Sequence, residues 1–105
     1  MKSYKVVVTI DAQEDIKRYL RYIRNVKKNP QVAKSILDDY IATRMHLSTC
    51  AAMLADPDSE ILKQRKLKRM NFLKHDYFIL YMIEDDKAVI TNIFHSLEDH
   101  ESKLK

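Results

Sequence analysis

The side chains best suited to chemistry in this sequence are one histidine and one block of cations. His95 closes the apolar, β-branched run of residues 88–94. An imidazole titrates close to neutral pH, so it can take or give a proton where few other groups can. Between Lys63 and Met70 stand Lys63, Arg65, Lys66, Lys68 and Arg69, with Leu67 and Met70 as apolar members. Such a density of charge suits a polyanion, although a solvated basic edge strand, which deters aggregation, accounts for it as well. His75 and Asp76 lie side by side ahead of a second apolar run, where a solvated turn is the simpler reading. The single cysteine, Cys50, is flanked by Ser48, Thr49, Ala51 and Ala52. None of these would lower a thiol pKa, so Cys50 reads as a small buried residue and not as a nucleophile. His95, Asp99 and His100 invite a metal, but helical spacing leaves His95 outside the helix and no fourth ligand is evident, so no metal site is expected. No Gly-rich loop is present and no cofactor is expected.

The elements that must position these groups follow from periodicity. Tyr4, Val6, Val8 and Ile10 alternate with other residues as a strand does. Asp11 with Glu14 three residues later reads as a capping pair opening a helix. Ile16, Tyr19, Leu20 and Ile23 supply that helix's apolar stripe, and Lys17, Arg18, Arg21, Arg24, Lys27 and Lys28 its basic side. Asn29-Pro30 ends this helix and starts a second, since Asn caps well and Pro suits the first helical position. Ala33, Ile36, Leu37, Tyr40, Ile41, Arg44 and Leu47 continue the helical spacing, and the short connection predicts an antiparallel helical hairpin. Asp56-Pro57-Asp58-Ser59 is a loop, and the basic stretch Lys63–Met70 reads as a strand. Residues 77–83 are apolar on both alternating sets, as in a strand covered on both faces. A polar turn at residues 84–87 leads into the last strand and completes a β-hairpin. Ser96 and Asp99 can cap a short final helix reaching about Leu104.

The chain has 105 residues, 46% of them apolar, enough for one core and too few for two domains. A single domain over residues 1–105 is expected. The lone cysteine excludes an internal disulfide and points to a reducing cytoplasm. No apolar run reaches the roughly 18 residues of a membrane span, and Met1-Lys2-Ser3-Tyr4 leads into a strand pattern instead of a signal-peptide core, so no membrane partner is expected. The formal charge of +4 and pI near 9.2 favour a polyanionic or acidic partner without saying which.

Strand, helical hairpin, three-stranded antiparallel meander and short C-terminal helix, an α+β order, resembles the RelE/ParE superfamily of toxins from type II toxin-antitoxin systems. The resemblance covers about Tyr4 to Leu104. Its most specific stretch is Asp76-Tyr77-Phe78-Ile79-Leu80-Tyr81-Met82-Ile83, the acidic hairpin turn, and Val89-Ile90-Thr91-Asn92-Ile93-Phe94-His95. It implies a cytoplasmic growth-inhibiting toxin whose cognate antitoxin covers its working surface. Two mechanisms share that scaffold. RelE-like members are endoribonucleases that cut messenger RNA on the ribosome, and ParE-like members poison DNA gyrase without cutting RNA.

Under the first mechanism, cleavage needs a base for the 2'-hydroxyl, an acid for the leaving oxygen and cations for the phosphate. His95 matches the position of a catalytic histidine in several ribonuclease members. Lys66 and Lys68 resemble the RelE lysine pair on one face of a strand, with Arg65 and Arg69 on the other, as RNA- or phosphate-binding candidates. Asp76 matches an acidic residue of some ribosome-dependent nucleases, with His75 beside it as a supporting candidate. Two arginines of RelE are missing, however. Phe78 stands where one lies early in the central strand, and Ser96, Leu97 and Glu98 replace the arginine-bearing turn. The first expectation is therefore ribosome-dependent messenger RNA cleavage with His95 as acid or base. The alternatives are a gyrase inhibitor and a degenerate, non-toxic binding module.

Overall fold

A computed structural model of the chain describes residues 3–98. Strand β1 (Lys5–Val8) leads into helix α1 (Ile10–Arg21), a π-helical turn (Tyr22–Val26) and helix α2 (Pro30–Cys50). A short helix α3 (Glu60–Gln64) precedes the meander β2 (Lys68–Asn71), β3 (Tyr77–Glu84) and β4 (Lys87–His95). The sheet order is β1-β4-β3-β2, with β1 parallel to β4 and the remaining pairs antiparallel.

The α+β architecture is as the sequence predicts. Asn29 caps α2 by accepting the Val32 N–H at 3.2 Å, with Pro30 in the first turn. The cap of α1 differs. Thr9, not Asp11, accepts the Ala12 N–H at 3.2 Å, and its hydroxyl is also placed against the Ile90 carbonyl at 3.0 Å. The last turn of contact between β1 and β4 thus fixes the helix start, and Asp11 falls into the first helical turn, where a negative charge suits the helix dipole.

The helical hairpin covers one face of the sheet. Ala12, Ile16, Ile36, Tyr40 and Leu47 pack there on Ile79, Tyr81, Ile90 and Ile93. On the other face Phe78, Leu80 and Phe94 pack under Leu62 and Leu67. That two-sided burial explains why β3 carries apolar residues at every position from Tyr77 to Tyr81.

The basic stretch is only partly the strand its pattern suggests. Residues 60–64 are helical, and strand pairing begins at Lys68. Lys66 adopts φ 58° just past the helix end. Its N–H donates to the Lys63 carbonyl at 3.0 Å and the next N–H, from Leu67, to Leu62 at 2.9 Å. This is a Schellman closure, clasped by the apolar pair Leu62 and Leu67. The short C-terminal helix expected from Ser96 to Leu104 falls mostly outside the described residues, of which 96–98 form a turn. Among the described residues no helix is long and apolar enough to cross a membrane.

Candidate functional site

Since β1 stops at Val8, the outward N–H groups of β4 beyond it need other acceptors. Helix α1 supplies them one turn apart. Asp15 accepts the Ile93 N–H at 2.9 Å, and the Tyr19 hydroxyl accepts the His95 N–H at 3.2 Å. Glu98 shares the His95 N–H at 3.2 Å and accepts a hydrogen bond from the Tyr19 hydroxyl. Burial raises the Asp15 pKa, against the lowering effects of the Ile93 N–H and the Arg18 charge.

His95 is thereby held on the helix side of the sheet. Its ring meets Tyr77, its cross-strand partner, edge-on at 4.9 Å between centroids. Nδ1 accepts the Leu97 N–H at 3.1 Å, so the neutral ring carries its proton on Nε2. The half-buried imidazole lines a cleft of about 440 Å³ together with Arg18, Tyr22, Ile23 and Lys27. In chemical terms, the neutral ring offers Nε2–H as a hydrogen-bond donor, its Nδ1 lone pair being taken by the Leu97 N–H.

The cations of residues 65–69 do not join it. Lys68 pairs with Tyr81 across the sheet and His95 with Tyr77, which separates the two by about 13 Å along the strands and about 10 Å across them. Lys68 Nζ is committed to the Leu54 carbonyl at 2.8 Å and to Asp56 at 3.2 Å. Lys66 and Lys68, expected on one strand face, are instead a turn residue and a strand residue. They do line one shallow cleft of about 320 Å³ with Lys63, and Asp56 forms part of its wall. Arg65 is the exposed C-cap of α3. Arg69 projects from the opposite face of the sheet, 3.8 Å over the Phe78 ring, and its Nε donates to Asn71 at 3.0 Å. Burial lowers its pKa, and the cleft beside it is walled by Asp56 and Asp58, an unfavourable setting for phosphate.

His75 belongs to a different constellation, centred on a residue that sequence reasoning missed. Asp39, with a side chain 1% exposed, accepts the N–H groups of Leu73, Lys74 and His75 at 3.1, 3.0 and 2.8 Å. It also receives the His75 Nδ1–H at 2.7 Å and the Thr43 hydroxyl at 3.3 Å. Burial alone would raise the Asp39 pKa, but the His75 ring and the N–H groups of His75 and Lys74 outweigh it and hold the carboxyl below its usual value. Ser35 lies 3.3 Å from His75 Nε2, giving the connectivity of a serine hydrolase relay. Ser35, however, lies within α2, where its own N–H serves the helix, so no oxyanion donor accompanies it. The group acts as a clasp that fixes the β2–β3 loop to α2. Asp76 is exposed, and only its carbonyl is used, by the Ser96 N–H at 2.8 Å. One sequence signal could have revealed Asp39: it shares the buried stripe of Ile36, Tyr40, Thr43 and Leu47.

Three solved structures share this fold. A chain of the chromosomal ParDE toxin-antitoxin system from P. aeruginosa superposes with a TM-score of 0.71 at 15% identity, over 89% of this chain and 96% of that one. A chain of the RelBE2 toxin-antitoxin complex from Mycobacterium tuberculosis gives 0.55 at 18% identity, over 89% and 98%. The conserved hypothetical protein HP0894 from Helicobacter pylori gives 0.58 at 14% identity, over 90% and 97%. No curated protein sequence matches this one. Residues 6–100 match the model of the family described as "ParE toxin of type II toxin-antitoxin system, parDE". On a match of that length, the chain belongs to the ParE toxin family of type II toxin-antitoxin systems.

Proposed function

We propose that this chain arrests growth by binding a protein target, DNA gyrase, and not by cutting messenger RNA on the ribosome, and that a cognate antitoxin neutralises it. The observation that carries the reading is the separation of His95 from the cations at positions 65–69; of the cations that do share its cleft, Arg18 is paired with Asp15 at 3.5 Å and Lys27 lies over the Tyr22 ring. General acid-base cleavage requires the proton-transfer group and the phosphate-neutralising groups to meet the same few atoms. Here His95 and Lys68 stand two strands and four residue positions apart, Arg69 projects from the other face of the sheet, and Lys68 is bonded to Leu54 and Asp56. Phe78, where RelE-like nucleases carry an arginine, is fully buried and supplies no charge. An antitoxin partner fits the family and also the source of two of the structural neighbours, which come from toxin-antitoxin systems.

Inducing the chain without antitoxin tests this directly. The expected result is growth arrest with intact transcripts by primer extension, while the purified protein inhibits gyrase supercoiling. Codon-phased cuts that His95→Ala abolishes, with normal supercoiling, would replace this reading with the ribosome-dependent nuclease. Unaffected growth would leave a binding module without toxicity.

A further inference from the structure

The clasp around Asp39 presents one reactive group to the surface. An ionised carboxylate only accepts, so the 2.7 Å contact between Asp39 and His75 Nδ1 puts the proton of the neutral ring on Nδ1 and leaves the lone pair on Nε2. The Ser35 hydroxyl meets that lone pair at 3.3 Å. A hydroxyl within reach of a base, with the base oriented by a third group, is the arrangement that activates a nucleophile. The orientation is firm, because one oxygen of Asp39 accepts both the ring N–H and the backbone N–H of His75. Access is open as well. Ser35 is exposed in the N-terminal half of α2 and lines a cleft of about 360 Å³ with Gln31 and Leu73, within the roughly 300–1,000 Å³ of small-ligand sites.

The chemistry of the site is limited by its lack of an oxyanion donor. Attack on an amide or a plain ester gains no help for the charge that develops on the carbonyl oxygen, so only a donor whose leaving group departs readily suits Ser35. Hydrolysis of the resulting ester passes through a similar oxyanion and is equally unassisted. An acyl group placed on Ser35 therefore stays there, and the site collects a modification instead of turning over.

We propose that Ser35 is a covalent modification site that takes a short acyl group from an activated donor, an acyl phosphate or an acyl thioester, with His75, held by Asp39, as the base. The Ser35 Oγ–H proton passes to His75 Nε2 as Oγ bonds to the acyl carbon. The bond from that carbon to the phosphate oxygen or the thiol sulfur breaks, and its electron pair leaves with the phosphate or thiolate. The imidazolium then returns the proton to the leaving group. The proposal does not depend on gyrase being the target.

Incubating the folded protein with acetyl phosphate, or separately with acetyl-coenzyme A, provides the test. Acetylated peptides are mapped by mass spectrometry with and without hydroxylamine, which cleaves an oxygen ester and spares the amide that lysine forms. A hydroxylamine-labile acetyl group on Ser35 is expected, formed about a hundredfold faster than in the urea-unfolded chain, where Ser35 and His75 are no longer held together. The faster of the two donors identifies the source of the acyl group. Ser35 is exposed, so Ser35→Ala should remove the label without disturbing the fold. His75→Asn keeps a side-chain N–H for Asp39 and removes the base, and should slow the transfer by about a hundredfold in a chain that circular dichroism shows to be folded. The ring nitrogen signals of His75 should place the proton of the neutral imidazole on Nδ1. Acetyl groups found only as hydroxylamine-stable lysine amides, equal rates in the folded and unfolded chains, a rate indifferent to His75→Asn, or a ring proton on Nε2 would each overturn the site.

Discussion

A carboxylate on the apolar stripe of a helix is costly unless its oxygens are engaged, and Asp39 engages both with backbone N–H groups of residues 73–75. Asp39→Ala strands those donors and frees the His75 ring, so it should destabilise the fold by about 3 kcal/mol. In a domain of this size that corresponds to a fall of more than about 10 °C in Tm. The pH dependence has a defined sign. Because its folded pKa is lowered, ionised Asp39 contributes fully above its ordinary value near 3.8, and the contribution is lost as pH falls through the lower folded value. Asp15 acts oppositely: its raised pKa makes the ionised form the costly one, and that cost disappears as pH falls through the raised value. Urea midpoints followed from about pH 5 down to about pH 2 should therefore fall less steeply toward acid in Asp39→Asn than in the parent chain, the difference opening below the ordinary value near 3.8; equal slopes would show that Asp39 does not set the acid limb. The donors that make Asp39 intelligible lie more than thirty positions away, so the sequence displayed the buried carboxylate but not its partners. His95 was legible because its own strand pattern ends on it.

The elements read correctly are those whose burial is periodic over many residues. The β3–β4 hairpin is visible in two alternating apolar runs flanking Asp85-Asp86, and the start of α2 in Asn29-Pro30. The α3–β2 junction was misread for a physical reason. A glycine usually announces a left-handed helix stop, and this chain contains none, so Lys28, Lys66 and Asp85 take up positive φ instead. At Lys66 the left-handed conformation crowds Cβ, a cost of roughly 1–2 kcal/mol that glycine avoids, partly offset by the greater entropy glycine loses on folding. Lys66→Gly should raise stability by about 0.5–1 kcal/mol, seen as a higher urea midpoint at an unchanged m value. A loss of stability would mean that the Lys66 side chain contributes contacts beyond the turn.

At the scale of the whole molecule, the sheet closes late in sequence terms. Lys5–Val8 must find Lys87–Ile90 in parallel register, joining the two ends of the described chain, whereas β3 and β4 are connected by two residues. Loop-closure entropy favours forming the hairpin and its helical cover first and docking β1 afterwards. That parallel pairing was also the part of the topology least visible in the sequence, because an alternating Val strand carries no mark of its neighbour or its direction. The order of events predicts a kinetic asymmetry. Val8→Ala trims a half-buried side chain packed on the core, at a cost of about 1 kcal/mol. If β1 docks after the transition state, that cost falls on unfolding, which should accelerate about fivefold while the folding rate changes by less than about twofold. Ile79→Val, at the buried centre of the hairpin, carries a similar cost but should slow folding instead. Stopped-flow chevrons of the two variants decide between them: equal slowing of folding by both would place β1 in the nucleus, and the sheet would then assemble from its ends inward.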